Sequence, residues 1–592
     1  MATFGARLPS FLAAVISCLG VLAPLPAQLV RADPEMPVDA RAQHVDRLCV
    51  KLAEGTGAQW RDGRLVSRTG VDLGAIARWF ELVHAEPLVV ALSWEQLDAM
   101  HAHAAAVLPA GRRPGHMGLW FRLRTNGLAE ALELRAALAA EPLVADVYFE
   151  PRWLGATAAP LPTGGDLPPT TPSFASQQGT HGPTPAGHSL RPAAGVYGAR
   201  GQGQRVYMIE GTFLFGHEDV SKVTPANVLG PVPTYNPTTG LHGLSGASLL
   251  CADRNAYGIT GVADEVTLRL MDLDLNGGLE ASMLIASNDA RVGDLLMAVL
   301  MVQVPGLGPG SFLPIEFYQA TFDATLTVTA AGRHVVLPAG NGGRSLDDPM
   351  LLGRFDRSFR DSGAILCGAS LSGPLQRAPF SNWGSRIDAH SWGENIVSCG
   401  YGTLFFPNND MLQSYTAAAA GTSSSTPHVA GIVAMLQGAA KHQRGALLTS
   451  SQLLAALHTY GPATPDVIGR RVDVNAALSG LGVFDGLRLD VPDVDLGGTV
   501  TATMDGPAGS IVGLYGSLTA ADFAIGFNRN VHVDLFALVP LGAFFLPAGT
   551  ATWSWTVPTS PSVQGVSLYM QGVRLFGSNP LHVTNSCQVT IL

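Results

Sequence analysis

Positive charge is scarce in this 592-residue chain: Lys51, Lys222 and Lys441 are its only lysines, and 36 Lys and Arg face 46 Asp and Glu, for a formal net charge of -10. Neutralising phosphates takes clustered cations, so nucleic acid is excluded as the main partner. Cysteine is sparse as well, with six in all, which excludes a disulfide scaffold. Cys367 and Cys399 each end an apolar, strand-like run. One bridge between them and two buried thiols are both open readings. Nor is there an apolar run of the about 20 residues that a membrane span needs. The longest, Phe11 to Leu25, follows Arg7 and is broken by Pro24 and Pro26 before the acidic Asp33-Pro34-Glu35. That pattern predicts a secretory signal over residues 1–32 and a secreted, extracellular protein. Val15-Ile16-Ser17-Cys18 offers a lipidation box as the alternative, which would attach the chain to the cell surface or outer membrane.

What the chain does contain is apolar residues (47%) and 68 glycines, with 14% charge. This composition describes a packed, loop-rich globular protein and argues against extended disorder. Its length leaves room for several folding units. Residues 33–153 alternate short strand-like and helix-like runs, such as Gly118 to Leu123, Ala129 to Ala140 and Val147 to Phe149, and predict a small α+β unit. Residues 154–192 are crowded with Pro, Thr, Gly and Ser and read as a linker. From 193 to 482, apolar runs (Val206 to Ile209, Leu295 to Val302, His334 to Leu337) alternate with helix-like stretches (Leu279 to Ala290, Pro427 to Gly438). Such alternation predicts an α/β fold with a parallel sheet covered on both faces. Residues 483–592 lose the helical period, and short strand-like pieces recur between Gly and Pro, which predicts an all-β sandwich.

The segment with the most chemical content is Gly421-Thr422-Ser423-Ser424-Ser425-Thr426-Pro427-His428-Val429-Ala430-Gly431, placed before a long apolar helix. A serine at a helix N-terminus lies beside unpaired backbone N–H groups and the positive end of the dipole, which can stabilise an oxyanion. Capping alone is the other reading of such a serine. The segment resembles the nucleophile segment of the subtilisin family, and the resemblance implies an acid, a histidine and an oxyanion-hole asparagine upstream of Ser423.

Candidates for all three occur in order. His242-Gly243, followed by Tyr257 to Ala263, resembles the family's histidine segment, with Leu244 in place of the usual Thr. Arg205-Val206-Tyr207-Met208-Ile209-Glu210-Gly211, followed by Gly216-His217-Glu218-Asp219, resembles its acid-bearing strand. The acid here is Glu where the family has Asp, with Asp219 as the fallback. Pro338-Ala339-Gly340-Asn341-Gly342-Gly343 resembles the oxyanion loop, and an asparagine in a left-handed turn is the plainer reading of Asn341. The resemblance implies a subtilisin-like fold and an endopeptidase in which Ser423 attacks, His242 moves the proton, Glu210 orients His242, and Asn341 with the Ser423 N–H binds the oxyanion.

The resemblance further implies that Pro305, Gly306 and Gly308, in the Gly/Pro-rich stretch Met301 to Gly310, bind substrate backbone by strand addition. Pro379 to Gly384 with Ile387-Asp388-Ala389 extends the similarity without adding reactive groups. The expected partners are protein or peptide substrates and the chain's own 33–153 unit as an inhibitory prosegment, with cleavage between Trp153 and about Ala175. A monomer is expected, and no cofactor is required. Structural calcium is allowed, although no acidic loop stands out as its site. An inactive scaffold that binds surfaces is the alternative function, motivated by Glu210.

Overall fold

The computed structural model describes residues 36–153 and 170–592, apart from short segments at 195, 197, 236, 309, 484–487, 507–508, 527–528, 547–549 and 575–582. The expected signal, Cys18 and residues 154–169 of the expected linker lie outside the described residues. The chain divides into two compact units, Met1–Pro151 and Arg152–Leu592.

In the first unit, Gln43–Leu52 is the centre of an antiparallel sheet. It pairs with Trp120–Arg124 on one side and Val144–Pro151 on the other, and His84–Pro87 completes the sheet beyond Trp120–Arg124. Helices Gly74–Glu81, Trp94–Val107 and Leu128–Ala139 lie between these strands in sequence. Leu48, Val50, Phe80, Phe121, Leu134 and Phe149 make up the unit's own core.

The second unit is built on six parallel strands. We number its elements β1 (Arg205–Glu210), α1 (Pro237–Cys251), β2 (Thr267–Asp272), α2 (Leu279–Asp289), β3 (Leu295–Ala298), β4 (Met301–Gln303), β5 (Phe312–Pro314), α3 (Gln319–Ala330), β6 (His334–Pro338), β7 (Ile365–Ser370), β8 (Ala389–Trp392), β9 (Ile396–Cys399), β10 (Tyr415–Ala419) and α4 (Thr422–Arg444). The sheet order is β8-β7-β6-β3-β1-β2, with parallel pairing throughout. Strands buried on both faces explain why β1, β3, β6 and β7 read as continuous apolar runs rather than alternations. The run Leu295 to Val302 is two strands, because β4 leaves the sheet and forms an antiparallel hairpin with β5. Open parallel sheets place their crevice at the carboxyl ends of the strands. Glu210 is the last residue of β1, and Asn341 follows β6 by three residues.

Beyond residue 483, Arg488–Asp490, Thr499–Asp505 and Thr550–Thr556 make one antiparallel sheet. Val539–Leu546, Ser510–Ser517, Ser567–Arg574 and Val583–Thr590 make another. Leu489, Val500, Met504, Leu514, Met570 and Val589 fill a shared core.

Burial holds six histidines of the second unit, His181, His188, His217, His334, His390 and His428, below the usual imidazole range. His217, His334 and His428 fall to about 4 and His390 to about 3. The unfolded chain takes up these protons near pH 6.5, while the folded chain refuses them until well below that, at about pH 4 for His217, His334 and His428. Stability is therefore full above pH 6.5 and is lost as the pH falls toward 4, at about 1.4 kcal/mol per histidine per pH unit. The carboxyls that burial pushes up, Asp219, Asp272, Asp294 and Asp490, act in the opposite sense, as does His242, which Glu210 holds above its ordinary value, but together they are fewer. We expect a melting temperature that is level from pH 8 to 7 and falls steeply by pH 5. Calorimetry showing equal melting at pH 7 and pH 5 would refute this.

Candidate active site

Glu210 closes β1 with its side chain fully buried, and its Oε1 accepts a 3.0 Å hydrogen bond from Nδ1 of His242 in α1. The helix can come that close because of Gly243. A Cβ there would sit 2.3 Å from the Thr212 carbonyl, in the chain just after β1. The Glu-for-Asp change thus leaves a carboxylate in contact with the imidazole, and the longer side chain reaches it. Burial pulls the His242 pKa down, but the charge and hydrogen bond of Glu210 outweigh it, and the imidazole is held above its ordinary value. The acid limb of any activity that needs neutral His242 accordingly lies above pH 6.5, higher than the unperturbed imidazole suggests.

Ser423 is in the first turn of α4, whose N-cap, Gly421, adopts φ +105 and has no side chain to cap with. The same glycine opens a hollow: an added Cβ would lie 3.1 Å from both Asn341 Nδ2 and Ser423 Oγ. Asn341 is fixed by its other end. Its Oδ1 accepts from the backbone N–H of Thr422 (2.9 Å) and from the Thr422 hydroxyl (2.9 Å). With the carbonyl so occupied, the amide N–H₂ is the end left facing the hollow, where an oxyanion formed at Ser423 can be bound. The loop that carries Asn341 is tied down by Asn382, which donates to Phe312 O and Ala339 O (2.7 Å each) and accepts from the backbone of Arg344.

His242 and Ser423 share the wall of one cavity of about 240 Å³, together with Tyr401, Thr403 and Ala418 to Ala420. No hydrogen bond joins the pair in this arrangement. Catalytic pairs are commonly looser before substrate tightens them.

The structure therefore brings Glu210, His242, Ser423 and Asn341 to one crevice. It does not bring Pro305, Gly306 and Gly308 to the cavity wall. They form the turn between β4 and β5, and β5 takes one edge of the β4 backbone. The fallback acid is elsewhere too: buried Asp219 accepts from Ile259 N (2.7 Å) and Asn255 Nδ2 (2.8 Å). Cys367 and Cys399 are separate buried thiols. Among the described residues, no group of three or more His, Cys, Asp or Glu is arranged to hold a metal ion. Sequence reasoning missed the positioning parts of Thr422 and Asn382, although both lie in segments it singled out, and it missed Tyr401 altogether. Only the glycines on either side of Tyr401 mark it.

Comparison with known proteins follows the same outline. Residues 231–466 match the sequence model of the Subtilase family, a stretch that includes His242, Asn341 and Ser423 and begins after Glu210. The thermostable alkaline protease of Halalkalibacterium halodurans is 26% identical over 241 residues, which is 40% of this chain and 58% of that protein. The extracellular serine proteinase of a Thermus species is 28% identical over 275 residues, 46% of this chain and 58% of its own length. Subtilisin BL of Lederbergia lenta is 27% identical over 249 residues, 42% of this chain and 80% of its own. The chain spans little more than half the length of the first two.

Proposed function

The chain belongs to the subtilisin-like serine peptidase family, the subtilases, by its match over residues 231–466, and from that premise we propose that it is an exported serine endopeptidase working through Ser423, His242 and Glu210. The observation that carries the reading is the 3.0 Å bond between His242 Nδ1 and Glu210. A carboxylate on Nδ1 fixes the tautomer that leaves Nε2 free to take the Ser423 proton, and it stabilises the imidazolium that results. The serine oxygen then adds to the scissile carbonyl, and the oxyanion meets the Asn341 amide and the Ser423 backbone N–H. His242 returns the proton to the departing amine, and water repeats the cycle on the acyl-enzyme. The inactive-scaffold alternative drew on Glu210 as a misfit, and the contact it makes with His242 favours a working triad. A fluorophosphonate probe that labels the wild-type chain and spares the Ser423→Ala chain tests the reading. Equal labelling of both, or of neither, would overturn it.

Export rests on the residue 1–32 pattern, and no described helix is long and apolar enough to cross a membrane. The 33–153 unit fits a prosegment released by the chain itself. The attachment of Thr171 to Gln178 supports a cut upstream of it. Thr171 Oγ1 donates to Glu218 (2.5 Å), Phe174 N donates to Gly258 O (2.7 Å), and Gln178 exchanges hydrogen bonds with both backbone groups of Thr260. Cleavage within that stitched stretch would tear it from the core, so the new N-terminus falls before Thr171.

Asn341→Ala is expected to lower kcat by about 10²–10³ with little change in KM, a magnitude taken from the corresponding asparagine of subtilisin. The Asn341 amide touches the oxyanion and not the resting carbonyl, so the loss belongs to the transition state. Steady-state kinetics that put the change in KM instead would contradict that assignment.

A further inference from the structure

An exposed apolar side chain standing alone is ordinary on a protein surface, and a cluster of them is not. Leu518 (68% exposed), Leu535 (45%), Phe536 (92%) and Val539 (54%) form such a cluster at one end of the C-terminal sandwich. Two turns bring them together. Leu518 and Thr519 follow the strand Ser510–Ser517, and residues 534–538 lead into Val539–Leu546, the edge strand that pairs with it, so that Val539 stands opposite Gly516.

The two turns are stitched to each other. Asp534 N donates to Ser517 Oγ (3.0 Å), and Thr519 Oγ1 donates to Asp534 Oδ2 (2.8 Å). Asp534 Oδ1 accepts from Phe536 N (2.9 Å), and the Asp534 carbonyl accepts from Ala537 N (3.1 Å). The carboxylate is thus used in closing the turn by a side-chain bond two residues on. Leu535 and Phe536 are held outward by that closure.

Charge and shape say what this tip meets. From Leu535 to Leu546 the sequence has no polar side chain. Between Ser510 and Gly549 the only Lys or Arg is Arg529, at the far end of the hairpin in which Ala520 pairs with Val533 and Gly526 with Arg529. A protein partner would be fixed in register by a polar rim and its hydrogen bonds, and the outward side chains here supply none. A second copy could pair along the free edge of Val539–Leu546, but Pro540 withholds an N–H there. Such pairing would also leave Leu518, Leu535 and Phe536, which lie beyond the strand, uncovered. A lipid interface requires neither register nor counter-charge, and it takes up Leu and Phe side chains to the depth of the head groups. Attraction to anionic lipid relies on Lys and Arg near the surface. With no cation at the tip and a net charge of -10, a neutral or zwitterionic surface is the match.

We propose that this end of the C-terminal sandwich is a membrane-docking tip: Leu535 and Phe536, flanked by Leu518 and Val539, insert into the head-group region of a zwitterionic bilayer and hold the chain at a lipid surface. The attachment is apolar, shallow and reversible, and it does not depend on the peptidase reading.

The test sediments the full chain with sucrose-loaded vesicles of phosphatidylcholine, and with vesicles enriched in phosphatidylglycerol, at low and high salt. The wild type is expected to partition onto phosphatidylcholine, with little change when salt or phosphatidylglycerol is added. Phe536→Ser should lower the partition by about tenfold, the effect of withholding one large apolar side chain from lipid. Phe536→Trp should retain it, since Trp also suits the interface. Met350→Ser, at an exposed apolar position outside the sandwich, should leave it unchanged. Thermal melting of the Phe536 variants should match the wild type, because so exposed a ring is not part of the core. No sedimentation with phosphatidylcholine, binding confined to phosphatidylglycerol and abolished by salt, or undiminished binding of Phe536→Ser would each overturn the proposal. So would a wild type that ignores vesicles but dimerises in light scattering, with the dimer lost in Phe536→Ser. The tip would then be an interface between copies.

Discussion

The Ser423→Ala chain is expected to lose peptide turnover by on the order of 10⁶-fold in kcat, a scale carried over from the same substitution in subtilisin, and to remain uncut between Trp153 and Thr171. The loss comes from the chemistry, because removing the hydroxyl removes the atom that forms the acyl bond, and the neighbouring Ser424 hydroxyl is engaged in donating to the Ala420 carbonyl (3.1 Å). Folding should be untouched. Ser423 is not the cap of α4, which begins at Gly421 without a side-chain hydrogen bond, so alanine in the first turn costs the helix little. The measurements are single-turnover kinetics, intact mass and thermal melting on the same sample. If the variant loses activity and melts well below the wild type, the loss belongs to structure. If it still processes itself, the nucleophile is another residue.

Glu210→Gln should be the next most damaging change, at about 10⁴-fold in kcat, the scale of the acid-to-amide change in other triads. The amide is nearly isosteric and keeps a contact to Nδ1, but it supplies no charge for the imidazolium and can present an N–H that favours the wrong tautomer. The pH profile adds a second readout with a definite sign. In the wild type, Glu210 outweighs burial and holds the His242 pKa above 6.5, so activity rises with pH through a midpoint above that value. With the charge gone, burial alone acts on the ring, and the midpoint of the residual activity should move below 6.5. Glu210→Asp should also lose activity, since a side chain shorter by one methylene draws the carboxylate back from its 3.0 Å contact. A large gain in the Asp variant, from almost no activity, would instead favour the scaffold reading.

Much of the site could be read from the sequence because each part carries a local physical signature. An apolar run that ends in a carboxylate, as at Arg205 to Glu210, is what a buried parallel strand looks like when its last residue reaches the carboxyl end of the sheet. The small residues around Ser423 announce a tightly packed helix start, and the structure shows that Gly421 leaves the hollow in which Asn341 and Ser423 face each other. The pocket wall could not be read in the same way. Tyr401, Thr403 and Thr416 come to the cavity from a hairpin whose geometry depends on a strained turn, and one aromatic residue between two glycines has no periodic pattern to reveal it.

The Gly/Pro-rich stretch after Leu295 was legible only in part. Its composition suggested open backbone, and the strand that takes one edge of it, Phe312–Pro314, lies beyond the turn, where no local pattern shows that the two pair. The cysteines illustrate the same limit. Cys367 and Cys399 end comparable runs, but only the packing around them decides between a bridge and two thiols.

Helix α4 threads the middle of the second unit, and nearly all of its residues from Thr422 through Ala440 are enclosed by the core. The attacking hydroxyl is therefore carried by one of the parts of the molecule that should open last, since local opening draws on poorly packed segments and spares the best packed. On heating, any activity that depends on this hydroxyl is expected to keep the nucleophile in place until the body as a whole gives way.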